Sequence, residues 1–166
     1  MTKTERPLQC YLMAGLLLML PAVVFAGQTS ATLTLTVTVI AEPCVINGGN
    51  PVTVDFGDNV LTTGVDGNNY IKPVDYTLDC ADATSDDLKM TISGTGAGFN
   101  GDVLQASQTD LGIKLISNGV AMPLNQPLTF SRQTPPVLEA VPVKATGSKL
   151  TGGPFTATAT MTVEYQ

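Results

Sequence analysis

The most regular feature of the chain is an alternation of apolar and threonine side chains at residues 31–41, which read ATLTLTVTVIA. Successive side chains of a β-strand point to opposite faces of the sheet, so this alternation places the aliphatic side chains on one face. A second alternating segment, FTATATMTVEY, occupies residues 155–165. Threonine is a good strand former and keeps the other face polar. Both segments therefore predict β-strands with one apolar face.

Shorter runs of Val, Ile, Leu and Thr fill the sequence between these two segments. Most of the chain's 16 glycines and 11 prolines lie between these runs. Short apolar runs punctuated in this way predict strands joined by turns, and no window of ten residues has a helical period. The predicted strands lie at residues 44–46, 53–56, 74–80, 88–93, 111–117, 127–130 and 142–144, between the two alternating segments. The sequence therefore predicts an all-β chain folded as a β-sandwich.

The first 26 residues have the features of a signal peptide. Lys3 and Arg6 precede an apolar run at residues 11–25 that is interrupted by Pro21. This run is shorter than the roughly 20 residues that span a bilayer as a helix. Small residues near its end predict cleavage between Ala26 and Gly27. A buried helix and an uncleaved anchor are the alternative interpretations.

Cleavage there would change both the charge and the cysteine count. Two of the 8 basic residues and one of the 14 acidic residues would be lost, which leaves a net charge of −7. Of the 3 cysteines, Cys10 would be removed and Cys44 and Cys80 would remain. An even number of cysteines in an exported chain favours a disulfide, worth about 4 kcal/mol in the chain-entropy model. A metal site is the alternative, but two thiolates without histidine or a CxxC spacing make a poor one.

The composition also narrows the classes of function. The chain contains no histidine, which excludes Ser-His and Cys-His catalytic pairs and histidine metal sites. Its acidity disfavours binding to nucleic acid or to an anionic membrane surface. Its aspartates are interpreted as a solvated surface, since the DxDxDG spacing of calcium loops is absent. We therefore expect neither an enzyme nor a protein with a metal or cofactor.

The order of these features resembles the pilins, the subunits of chaperone-usher pili such as type 1 and P pili. An alternating N-terminal segment follows the signal, Cys44 comes directly after it, and Cys80 ends the sequence PVDYTLDC. Gly153 is fourteenth from the C-terminus and Tyr165 is the penultimate residue. The resemblance implies an incomplete immunoglobulin-like sandwich that lacks its last strand and is completed by donor-strand exchange. Residues 27–42 would be the donor-strand extension and residues 43–166 the pilin domain.

The resemblance also implies roles for the two alternating segments. The donor strand would insert its apolar face into the groove of a neighbouring subunit, through Ala31, Leu33, Leu35, Val37 and Val39. Burial of its large aliphatic side chains is worth on the order of 10 kcal/mol before ordering costs. The C-terminal strand would flank the acceptor groove opposite residues 44–46 and be recognised by the chaperone and usher. Its residues would be Gly153, Phe155, Ala157, Ala159, Met161, Val163, Tyr165 and Gln166.

The partners implied are a periplasmic pilus chaperone, an outer-membrane usher and other pilus subunits, on the route from the periplasm to a surface fimbrium. Contact with a host surface would be indirect, through the pilus tip. A minor, adaptor-type subunit is favoured, and a major shaft pilin and a base terminator are the alternatives. The 140 residues after Ala26 leave no room for the lectin domain of an adhesin. Many pilins have a glycine seven residues before the first cysteine, where this chain has Val37. This departure puts promiscuous self-polymerisation in doubt.

Overall fold

The computed structural model describes residues 43–166. The predicted signal peptide, cleavage site and donor strand lie outside the described residues. The first strands are short: β1 (Val45–Ile46), β2 (Lys72–Pro73) and β3 (Leu78–Asp79), with 3-10 turns at Asn47–Gly49 and Thr62–Gly64. The remaining strands are β4 (Asp87–Ser93), β5 (Gly96–Ala97), β6 (Asn100–Gln105), β7 (Leu111–Ser117), β8 (Val120–Met122), β9 (Pro127–Ser131), β10 (Leu138–Lys144) and β11 (Thr160–Tyr165).

The strands form three open, antiparallel sheets. The largest has the order β2-β10-β7-β6-β5, with β8 paired to β7. A three-stranded sheet has the order β11-β4-β9, and β1 pairs with β3 in a two-stranded sheet. Residues 43–166 contain no helix that is long and apolar enough to cross a membrane. The all-β prediction is therefore confirmed, and β11 forms one edge of its sheet.

The core lies between the inner faces of these sheets. In β4, Leu88, Met90 and Ile92 are buried and alternate with more exposed residues. In β7 and β10 most side chains are buried, because these are central strands of the large sheet. The apolar faces of β4, β7, β10 and β11 contribute to one cluster of buried side chains. This burial is the main stabilising term of the domain.

Cys44 and Cys80 form the disulfide that the sequence favoured. Cys44 directly precedes β1 and Cys80 directly follows β3, whose register pairs Val45 with Asp79. The bond therefore fastens one end of the shortest sheet in the domain. With only two residues in each strand, this sheet has little pairing of its own to hold it together.

The predicted strands differ from the observed ones where pairing depends on distant residues. The strand predicted at 111–117 is observed unchanged, and that at 142–144 extends to Leu138–Lys144. Residues 53–56 alternate between exposed and half-buried but belong to no strand. The prediction missed β2, β5, β6 and β8, whose sequences are short or polar, and the strand predicted at 74–80 is observed only as Leu78–Asp79. Gly96 allows β5 and β6 to approach, since a Cβ there would lie 2.7 Å from the carbonyl oxygen of Gly101.

We predict that the Cys44→Ser/Cys80→Ser double variant has a free energy of unfolding lower by about 2–5 kcal/mol, because the unfolded chain regains the entropy that the cross-link removes. The measurement is urea unfolding of the exported protein. Oxidised wild type is the reference, and reduced wild type should match the variant. Equal urea midpoints for the variant and oxidised wild type would contradict the prediction.

Candidate functional site

An elongated groove separates β1 from β11. It has a volume of about 630 Å³ and is lined by residues 43–46 on one side and 161–165 on the other, with Gly49 and Lys89. The two rims belong to different sheets and are not paired with each other. Among residues 43–166, no strand pairs with the outer edge of β11. The groove is therefore an open edge of the sandwich.

The register of β11 shows which of its backbone groups face the groove. The N–H of Gln166 donates to the carbonyl of Asp87 (3.3 Å), and the Thr162 hydroxyl donates to the carbonyl of Thr91 (3.4 Å). Together with the register that pairs Thr162 with Thr91, the backbone contact of Gln166 indicates that the even-numbered residues of β11 direct their backbone groups towards β4. Backbone groups along a strand point alternately to its two sides. Those of Met161, Val163 and Tyr165 therefore point to the open side.

The same three residues turn their side chains inward. Val163 is buried, and Met161 and Tyr165 are half-buried against the core, whereas Thr160, Thr162 and Glu164 are exposed. Since side chains alternate between the faces of a strand, β11 presents an apolar inner face and a polar outer face. The groove thus combines unpaired backbone groups with an apolar floor, which is the chemistry that an added β-strand requires.

The segment before β11 is held by contacts other than strand pairing. The Phe155 and Phe56 rings pack with centroids 5.8 Å apart. The backbone of Thr156 exchanges hydrogen bonds with Ser107, through the Ser107 N–H (2.8 Å) and its hydroxyl (3.0 Å). Ala157 and Ala159, on the apolar side of the alternation, are exposed. The strand predicted at 155–165 is therefore observed only as Thr160–Tyr165.

The end of β11 is fixed by hydrogen bonds to the loop after β3 and to β4. The hydroxyl of Tyr165 accepts a hydrogen bond from the Thr84 N–H (3.0 Å). Hydrogen bonds from the side chain and backbone of Thr84 lower the pKa of the Tyr165 phenol below its ordinary value. The side-chain amide of Gln166 donates to the carbonyl of Leu88 (3.0 Å). The last two residues of the chain are therefore held in place beside the groove.

Arg132 organises the loop that holds Tyr165. Its guanidinium forms an ion pair with Asp86 and donates hydrogen bonds to the carbonyls of Cys80 (3.3 Å) and Ala83 (3.2 Å). Gln133 donates a further hydrogen bond to Asp86. Sequence reasoning missed Arg132, because its partners lie about fifty residues away in the chain and no local pattern reveals them.

Gly153 marks the entry to the C-terminal segment. Its φ is +142°, in the region that favours glycine, and the side chain of Gln108 donates hydrogen bonds to the carbonyls of Gly153 (2.9 Å) and Pro154 (3.1 Å). A residue with a Cβ would be strained in this conformation. Gly153 and Gln108 together set the direction in which the chain approaches β11.

The residues that the sequence singled out at the C-terminus fall into two groups. Met161, Val163 and Tyr165 come together along the groove opposite Cys44. Gly153, Phe155, Ala157 and Ala159 lie before β11 and do not line this groove. The described part of the chain, residues 43–166, holds no cluster of three or more potential metal ligands. The geometry of the groove thus fits strand addition.

A sandwich of open antiparallel sheets with an unpaired strand beside an apolar groove defines the class of pilus subunits with an incomplete immunoglobulin-like fold. The family model described as "Fimbrial protein" matches residues 31–166. The chain is also 39% identical over 147 residues to the fimbrial-like protein YfcR of Escherichia coli (strain K12). The alignment covers 85% of this chain and 84% of YfcR. The chain belongs to the fimbrial protein family.

Solved structures of pilus subunits have the same fold. The P pilus adaptor subunit PapF matches with a TM-score of 0.56 and 26% identity, over 78% of this chain and 100% of PapF. The P pilus rod subunit PapA matches with a TM-score of 0.56 and 23% identity, over 81% of this chain and 100% of PapA. The predicted resemblance to chaperone-usher fimbrial subunits is confirmed.

We predict that Gly153→Ala lowers the free energy of unfolding by about 1–3 kcal/mol, because a Cβ strains the backbone at this φ. Gly152→Ala is the matched control, since a Cβ at Gly152 would meet no atom within 4 Å. Its effect should stay within about 0.5 kcal/mol. Urea unfolding of the two variants measures the difference. Equal urea midpoints would show that the conformation of Gly153 carries no energetic cost for alanine.

Proposed function

We propose that the protein is a structural subunit of a chaperone-usher pilus that polymerises by donor-strand exchange. It accepts a strand from a neighbouring subunit in the groove between β1 and β11, and it donates its own N-terminal segment, residues 27–42, to another. The observation that carries this proposal is the outward direction of the backbone groups of Met161, Val163 and Tyr165 above an apolar floor. It makes this edge a template for one further strand.

The donor role rests on the chemistry of the N-terminal segment. Ala31, Leu33, Leu35, Val37 and Val39 alternate with polar residues, all of them threonine between 32 and 38. An added strand of this composition buries its aliphatic face in the groove and leaves its threonine face in solvent. Each large aliphatic side chain contributes about 1.5–3 kcal/mol on full burial. Together with the backbone hydrogen bonds, such burial gives the slow dissociation that a fibre needs.

Membership in the fimbrial family supports the remaining parts of the proposal. Cleavage between Ala26 and Gly27 releases the chain into the periplasm, where a chaperone supplies a strand to the groove until an usher exchanges it for the strand of the next subunit. The chaperone and usher recognise the C-terminal strand. The role is structural, not enzymatic, and needs no cofactor.

Among pilus subunits we favour a minor, adaptor-type role. The match to the adaptor subunit PapF has 26% identity, compared with 23% for the rod subunit PapA. A base terminator that accepts no strand is disfavoured by the open groove. A major shaft pilin remains the alternative. Unlike an adaptor, a shaft pilin would bind a peptide that carries its own residues 27–41 in its groove.

We predict that synthetic donor-strand peptides stabilise the exported protein against urea, because they bind the folded state and bury its groove. Free peptide at 100 times its dissociation constant adds about 2.7 kcal/mol, a midpoint shift of about 1–3 M urea for a domain of this size. The peptides carry residues 27–41 of this chain and the N-terminal segments of neighbouring subunits. A scrambled peptide of equal composition is the control.

The pattern of capture assigns the role. Capture of a neighbour's peptide with rejection of residues 27–41 supports an adaptor, whereas tight capture of both supports a self-polymerising shaft subunit. High stability without peptide, with no shift from any peptide, would overturn the acceptor role.

We predict that deletion of residues 29–40 leaves chaperone binding unchanged and abolishes donation to the preceding subunit, because the segment acts on a neighbour's groove and not in its own domain. Copurification with the chaperone measures the first property, and strand exchange with a chaperone-bound acceptor subunit measures the second. A deletion variant that fails to fold in the chaperone complex would mean that the segment is an integral strand of this domain.

A further inference from the structure

The three methionines in residues 43–166 differ sharply in their exposure. Met90 is 0% exposed and Met122 is 5% exposed, both inside the main core. Met161 is only half-buried and lines the groove. Met161 is therefore the most exposed of the three, and we expect an oxidant in solvent to reach its side chain before those of Met90 and Met122.

Met161 lies where an added strand must pass. Its backbone groups point to the open side, and its side chain forms part of the groove floor. On an antiparallel pair, side chains directly opposite each other have Cβ atoms about 4.5–5.5 Å apart. A strand that occupies the groove therefore packs against Met161 and covers it. Its exposure to oxidants is a property of the open subunit alone.

We propose that Met161 is an oxidation site whose sulfoxide closes the groove to an apolar strand. This proposal rests on the acceptor role argued above. A peroxide supplies the oxygen: the sulfur lone pair attacks one peroxide oxygen, the O–O bond breaks, and an S–O bond forms. With hydrogen peroxide, the second oxygen leaves as water after proton transfer. The sulfur is oxidised by two electrons and the peroxide is reduced by two.

The sulfoxide opposes strand binding for two physical reasons. It converts a flexible apolar side chain into a polar one. Burial of its oxygen under an aliphatic strand costs free energy, because apolar side chains offer that oxygen no hydrogen-bond donor. Oxidation before a strand fills the groove thereby excludes a subunit from assembly, whereas subunits whose groove holds a chaperone strand or a neighbour's strand are protected. Two methionine sulfoxide reductases, one for each sulfoxide epimer, together restore the open subunit.

The first test measures oxidation at each methionine. The exported protein is treated with hydrogen peroxide, and peptide mass spectrometry follows Met90, Met122 and Met161. We expect Met161 to react at least tenfold faster than the two core methionines, and a bound donor-strand peptide to slow it by a similar factor. Equal rates at the three positions, or a rate at Met161 that a bound peptide leaves unchanged, would overturn the proposal.

The second test measures peptide affinity after oxidation. The donor-strand peptide that unoxidised protein captures should bind the Met161 sulfoxide about tenfold more weakly or worse, and reduction by the two reductases should restore the affinity. Met161→Leu conserves side-chain volume and has no sulfur, so its affinity should not change on peroxide treatment. Equal affinity of oxidised and unoxidised wild type would overturn the proposal.

The two proposals fail in different ways. Absence of peptide capture by untreated protein would contradict the acceptor role itself. If untreated protein binds the peptide, and protein selectively oxidised at Met161 binds it equally well, only the proposal that oxidation closes the groove is contradicted. A loss of affinity in peroxide-treated Met161→Leu would assign the effect to another residue and likewise overturn the role of Met161.

Discussion

The unpaired edge of β11 is the constraint on which the rest of the structure depends. A strand with an apolar inner face and free backbone groups along one side is an unfavourable surface in water and a template for any extended chain. In residues 43–166, β1 stands across the groove without pairing to it. The domain must therefore hold the two rims of the groove in place without strand pairing between them.

Separate contacts fix each rim. On the β1 side, the Cys44–Cys80 disulfide secures a sheet of only two residues per strand. On the β11 side, Gln108 and Ser107 hold the chain before the strand, and the Thr84 N–H holds Tyr165 at its end. These contacts use the backbone or a covalent bond and do not need the groove to be filled. They preorganise the rims, which lowers the cost of ordering when a strand is added.

Strands whose apolar and polar side chains alternate could be predicted from the sequence. Strands that form only because a neighbouring strand pairs with them could not. The alternation at β4 and the apolar run at β7 gave their positions within a residue, because one or both faces are buried. The polar sequence of β6, NGDVLQ, forms a strand because β7 pairs with it. Residues 53–56 carry the alternation but find no partner. The groove was anticipated only through a family resemblance, and the contacts of Arg132 and Gln108 had no local signal.

Side chains and backbone groups both alternate in direction along β11, and these two alternations determine the pattern that an incoming strand must have. Met161, Val163 and Tyr165 combine inward side chains with outward backbone groups, so the residues that pair directly with them also turn their side chains inward. Their neighbours on that strand lie beside the exposed Thr160, Thr162 and Glu164. A slip by one residue would exchange the two faces and bury polar side chains on an apolar floor. A strand with strict alternation of aliphatic and threonine residues, the pattern of the proposed donor segment at positions 31–39, would therefore pair in a single register.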